Sequence, residues 1–136
     1  MIASWFSYYT MRLQMNQLFN NLLSNALKFY ADARPPVITI SYQTLSGDEI
    51  KKVPELREGS PYIEINFSDN GIGFEQQFAG QIFQIFERLH PAEEYEGTGI
   101  GLAICKKIVE NHHGHIYALS KENEGASFYV FLPVKQ

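Results

Sequence analysis

Tyr62-Ile63-Glu64-Ile65-Asn66-Phe67-Ser68 runs without interruption into Asp69-Asn70-Gly71-Ile72-Gly73-Phe74. The first half alternates, with Ile63, Ile65 and Phe67 on one side and Glu64, Asn66 and Ser68 on the other, the period of a half-buried strand. The second half sets a carboxylate and two glycines where that strand ends, and glycine lets a backbone turn sharply and approach a ligand closely. Upstream, residues 37–43 alternate in the same way, Ile38, Ile40 and Tyr42 against Thr39, Ser41 and Gln43, which predicts a second half-buried strand. Between them lies 44–61, long, charged and carrying Gly47, Pro54, Gly59 and Pro61, which reads as an exposed connection between antiparallel strands.

Further out, Leu18, Leu22, Ala26 and Phe29 recur at helical spacing within residues 13–30, and Pro35-Pro36 closes that region. A short helical stretch is expected over 76–88, then a polar, acidic loop over 90–96 holding Glu93, Glu94 and Glu96. The spacing predicts a further helix over 101–111, stopped at Gly114. Residues 115–120 and 127–132 read as two strands of a hairpin around Lys121-Glu122-Asn123-Glu124-Gly125. The order is helix, two strands, two helices, two strands. It predicts an α+β fold, a two-layer α/β sandwich with a mixed, mostly antiparallel sheet and helices on one face. Residues 1–13, aromatic-rich at their start, stand apart as an edge strand, a truncation point or sequence from outside the domain. They lack the basic and continuous apolar regions of a signal peptide.

The 136 residues amount to one domain, with 45% hydrophobic and 19% charged residues, a globular composition. The apolar runs fall far short of the roughly 20 residues that span a bilayer, so no membrane contact is expected. With 11 Lys+Arg against 15 Asp+Glu the net charge is -4, which argues against a nucleic-acid surface. The single cysteine implies no oxidising compartment.

Three groups of residues carry chemistry. Asn21, Asn25 and Lys28, spaced by four and three, share a stripe of the first helix. Two amides and an ammonium there could offer a ligand for a hard cation such as Mg²⁺ and contacts for phosphate, although a solvated stripe explains the same pattern. Asp69, at a strand end, could accept a hydrogen bond from a ligand's amine or hydroxyl; an Asx-type turn accounts for Asp69-Asn70-Gly71 equally well. Gly97-Thr98-Gly99-Ile100-Gly101-Leu102 opens a helix, where unobstructed N–H groups and the helix dipole favour phosphate. No Gly-Lys-Ser/Thr closes it, so it is not a Walker A loop, and its glycine spacing is not that of a dinucleotide fingerprint. A hinge leading into a core helix is the alternative.

Taken in order, these elements resemble the ATP-binding catalytic domain of sensor histidine kinases, in the Bergerat-fold superfamily that also holds gyrase and MutL. The N box resembles Gln17-Leu18-Phe19-Asn20-Asn21-Leu22-Leu23-Ser24-Asn25-Ala26-Leu27-Lys28-Phe29, and the G1 box Asp69-Asn70-Gly71-Ile72-Gly73-Phe74. The F box resembles Ile82-Phe83-Gln84-Ile85-Phe86-Glu87-Arg88-Leu89-His90, the G2 box Gly97 to Leu102, and the closing strand Gly125-Ala126-Ser127-Phe128 onward. The resemblance implies a catalytic and ATP-binding domain over 14–136. By position, Asn25 would hold Mg²⁺, Asn21 would support it and Lys28 would contact phosphate. Asp69 would accept the adenine amine, with Gly71, Ile72 and Gly73 around the base and Ser127 nearby. Gly97, Thr98, Gly99, Ile100, Gly101 and Leu102 would shape an ATP lid, and Arg88 would steady the transferred phosphate.

The implied partners are the parent kinase's dimerisation and phosphoacceptor domain, whose histidine takes the phosphoryl group, and a response regulator receiver domain. The implied compartment is the cytoplasm. A gyrase-type ATPase would carry a water-activating Glu where Asn21 stands, and an amide is no base. A catalytically silent nucleotide-binding module is the other alternative. None of the four histidines has a phosphoacceptor's context: His90 precedes Pro91, His112 and His113 precede Gly114, and His115 begins a strand. Cys105, among Leu102, Ile104, Ile108 and Val109, reads as buried core.

Overall fold

The computed structural model describes the backbone of residues 2–84 and 101–134 and the side chains from residue 11 onward. Helix α1 spans Ile2–Lys28, so residues 2–13 are helical and the edge strand considered for them is not there. The physical reason is plain in the sequence: no Gly or Pro interrupts Ile2–Lys28, and nothing else in it forces a break. Leu18 and Leu22 on this helix are fully buried, and Phe19 sets its ring edge-on against Phe67, centroids 5.0 Å apart.

Four strands follow: β1 (Ile38–Leu45), β2 (Tyr62–Asp69), β3 (His115–Lys121) and β4 (Gly125–Pro133). They form one sheet in the order β1-β2-β4-β3, and every pairing among the described strands is antiparallel, with no mixed component. The expected β3–β4 hairpin is present. Helix α3 (Gly101–Asn111) packs beside α1, and together they cover β2, β4 and β3. Between them and the sheet lie Ile65, Phe67, Ile108, Val109, Phe128 and Val130. This is the two-layer α+β arrangement expected.

Three local readings are corrected. β1 is not half-buried: the register sets Ile40 opposite Phe67 and Tyr42 opposite Ile65, on the helix side, yet they are 46% and 75% exposed. The two helices lie mainly over the other three strands and leave most of this edge uncovered. The connection 44–61 is not merely an exposed loop. It forms a one-turn helix, α2 (Asp48–Lys51), and buries Ile50 and Leu56 with Leu45, Tyr62 and Phe131 against the opposite face of the sheet. Helical structure thus meets both faces. Within the stretch expected to be helical over 76–88 there are two short 3₁₀ turns, Gln76–Phe78 and Gln81–Phe83, with Gly80 between them; its described part ends at residue 84.

Helix α3 ends at Asn111 as expected, with His113 rather than Gly114 as its left-handed cap residue. His113 takes the left-handed conformation (φ 62°), its N–H donating to Glu110 C=O at 3.0 Å, while Gly114 N–H donates to Val109 C=O at 2.9 Å. Among the described residues no helix is long and apolar enough to cross a membrane.

Candidate functional site

Asp69 is the last residue of β2, where strand pairing ends and the chain leaves the sheet. Its Oδ1 accepts the N–H of Gly71 at 2.9 Å and, more weakly, that of Ala126 at 3.4 Å. Both bonds fall on one oxygen, so among the described residues Oδ2 is the one left to a ligand. Burial raises the carboxyl above its ordinary value, and the two N–H donors, Gly71 first, lower it part of the way.

The loop after Asp69 is held by its neighbours. A Cβ on Gly71 would lie 2.3 Å from the carbonyl oxygen of Phe29, just past the end of α1, and Ile72 N–H donates to that same oxygen at 2.9 Å. Gly73 has φ +60°, and a Cβ there would meet the Lys121 carbonyl oxygen at 2.4 Å. These two glycines let the loop pack against α1 and against the β3–β4 turn. The close approach expected toward a ligand is here toward the protein's own backbone.

On α1, Asn21 is half-buried and its Nδ2 donates to the carbonyl of Gly101, the first residue of α3, at the long distance of 3.5 Å. Asn25, half-buried, follows one turn later, and Lys28 is exposed beyond it. The Asn stripe therefore runs beside the N-terminus of α3, whose first N–H groups have no partner within the helix and favour an anion. Leu102 packs into the core from the same turn. Arg88, Gly97, Thr98, Gly99 and Ile100 lie outside the described residues, as do His90 and the acidic loop 90–96.

Ser127 is not brought to Asp69. It pairs with Ser68, and the two hydroxyls are hydrogen-bonded at 2.8 Å. Asp69 pairs instead with Ala126, and side chains alternate between faces, so Ser127 belongs to the opposite face of the sheet from the Asp69 carboxylate. Ala126 is the residue level with it.

Arg34 is the residue the sequence did not announce. Its guanidinium donates to the carbonyls of Asn70 (2.7 Å), Gly71 (2.9 Å) and Asn123 (2.7 Å). Backbone carbonyls leave no signature in a sequence, and an arginine before Pro35-Pro36 offers none of its own.

Of the other titratable groups, Cys105 meets the site through Asn21. Burial pushes the Cys105 thiol up to about 12, with a smaller lowering from the Asn21 side chain. His112 is buried, with Nδ1 2.8 Å from Ile108 C=O. Burial lowers His115, which stacks on Phe131 and sits 3.8 Å from Glu55. Among the described residues no cluster of His, Cys, Asp and Glu could cage a metal, so a cation beside Asn25 would complete its shell with phosphate oxygens and water. A shallow groove of about 430 Å³, lined by Met11, Met15, Ile63, Leu132 and Val134 among others, lies at the far end of β2 from Asp69.

Residues 10–136 match the family model described as histidine kinase-, DNA gyrase B- and HSP90-like ATPase. Cyanobacterial phytochrome A of Nostoc sp. (strain PCC 7120) is 45% identical over 121 residues, which are 89% of this chain and 14% of that protein. The adaptive-response sensory kinase SasA of Prochlorococcus marinus (strain SARG) is 34% identical over 122 residues, 89% of this chain and 28% of the kinase. The chain thus spans a minor part of these relatives. In fold it resembles the catalytic domain of histidine kinase ThkA, with a TM-score of 0.64, 24% identity, and 90% of this chain and 68% of that one covered.

Proposed function

The chain belongs to the histidine kinase-, DNA gyrase B- and HSP90-like ATPase family as a histidine kinase-type ATP-binding catalytic domain, and on that premise we propose that it presents the γ-phosphoryl group of Mg–ATP to a histidine on a separate dimerisation domain. That histidine would pass the group to an aspartate of a response regulator, and the cytoplasm is the compartment this reading assigns. The observation that carries it is the arrangement of Asp69: a part-buried carboxylate with Oδ1 held by two N–H groups and Oδ2 left to accept an exocyclic amine.

In this reading Asp69 and the loop of Gly71, Ile72 and Gly73 recognise the base. The Asn25 amide oxygen holds Mg²⁺, with Asn21 beside it and Lys28 on phosphate. Gly97, Thr98, Gly99, Ile100, Gly101 and Leu102 close over the phosphates, and Arg88 steadies the group in transit. ATP supplies the phosphoryl group, and Mg²⁺ offsets its charge. Positioning and charge stabilisation are most of what phosphoryl transfer needs, so the nucleophile can belong to another domain. Ser127 has no place in this assignment.

The test is calorimetric titration of the wild type and Asp69→Asn with Mg–ATP. An amide NH₂ facing the adenine amine sets donor against donor, and ATP affinity should fall by roughly one to two orders of magnitude. Equal affinity for the two proteins would sink the adenine assignment.

A further inference from the structure

Arg34 lies in the short segment between α1 and β1, and its three hydrogen bonds all end on backbone carbonyls. The bond from Nε to Asn70 C=O, at 2.7 Å, has a particular consequence. Asn70 C=O and Gly71 N–H are the two ends of one peptide plane. That N–H is the stronger of the two donors to Asp69 Oδ1. Guanidinium, peptide and carboxylate are therefore joined in series. A cation at the carbonyl end polarises the peptide and strengthens the bond made by its N–H.

The third bond, to Asn123 C=O, reaches the turn between β3 and β4. Asn123 N–H donates back to Ile72 C=O at 2.6 Å, and three residues later Ala126 supplies the second N–H to Asp69. Arg34 is thus bonded to both segments that hold the carboxylate. Its own segment is fastened in turn by Asn70, whose Oδ1 accepts Val37 N–H at 2.8 Å and whose Nδ2 donates to Pro35 C=O at 3.0 Å. A planar fork can serve several carbonyls at once, whereas an ammonium on a flexible stem cannot hold them in one plane.

We infer that Arg34 is the positioning residue of the base pocket: through the Asn70–Gly71 peptide it fixes which oxygen of Asp69 meets the ligand, and so sets how strongly a purine bearing an exocyclic amine is preferred over one without. This rests on the reading of Asp69 as the adenine acceptor. Its reach is one of specificity, since among the described residues the hydrogen bonds of Arg34 go to Asn70, Gly71 and Asn123 and to none assigned to phosphate.

The experiment compares calorimetric affinities for ATP and for purine riboside triphosphate, which is ATP without its 6-amino group. The wild type should prefer ATP by roughly tenfold or more. In Arg34→Ala and Arg34→Lys that preference should collapse to about twofold, while affinity for the analogue changes by less than about threefold. A merely structural arginine would weaken both nucleotides by the same factor and leave their ratio intact. An intact ratio, with or without a common loss, overturns the role of Arg34. If Arg34→Ala does not fold, Arg34→Lys alone decides, because it keeps the charge and loses the fork. A wild type that shows no preference for ATP overturns the reading of Asp69 and the inference with it; a preference that survives both substitutions overturns only the inference.

Discussion

Burial raises the Asp69 carboxyl, and the N–H groups of Gly71 and Ala126 only partly offset this. A folded-state value above the unfolded one means that ionisation favours the unfolded chain: the related stability is present below the unfolded value and is lost as pH rises through the folded one. Asp69→Asn keeps an acceptor for both N–H groups and removes the charge. The variant's melting temperature should therefore exceed that of the wild type at pH 7, by a margin that shrinks as pH falls through the folded value and is lost below about pH 4. The same substitution that impairs nucleotide binding is expected to stabilise the free domain, and thermal unfolding at both pH values checks the sign. Cys105, pushed up to about 12, stays a thiol at pH 8 and should resist iodoacetamide until the protein unfolds. At this scale the sequence displayed Asp69 and the buried thiol through their neighbours. It set Ser127 beside Asp69, whereas the register puts the two on opposite faces, because one residue of shift exchanges the faces of a strand.

Where each element lies was largely legible, and what covers it was less so. Alternation located β2 and the β3–β4 hairpin because the local pattern and the burial agree there. In β1 the same alternation is present but the helices stop short, and no periodicity encodes how far a neighbouring layer extends. Residues 44–61 misled for the opposite reason: Leu45, Ile50, Val53 and Leu56 are spread among charges and glycines, and only the folded sheet collects them. Ile50→Ala should cost roughly 2–4 kcal/mol in chemical denaturation, yet leave ATP affinity unchanged, because its cluster lies across the sheet from the Asp69 carboxylate. Leu18→Ala, on the helix side and fully buried, should cost roughly 2–5 kcal/mol.

For the molecule as a whole, nucleotide binding and phosphoryl acceptance are expected to reside in separate domains. His112 is buried with Nδ1 against a helix carbonyl, and His115 stacks on Phe131 at the start of a strand, so neither sits in a phosphoacceptor's exposed helical setting. The chain incubated with Mg–ATP should gain no acid-labile phosphate, and adding the parent's dimerisation domain should restore transfer. Asn25→Ala should abolish that transfer by removing the proposed metal ligand. Counting labelled γ-phosphate decides it, and stoichiometric self-labelling would refute the division of labour. The margin at β1, uncovered among the described residues, bears on how the protein behaves in a tube. Ile38–Leu45 has no charged residue and no proline, the two devices that commonly discourage one edge strand from zipping onto another. The expected result is a ceiling on working concentration: static light scattering should rise with protein concentration, and Tyr42→Lys should move that rise upward while leaving the melting temperature within about 1–2 °C.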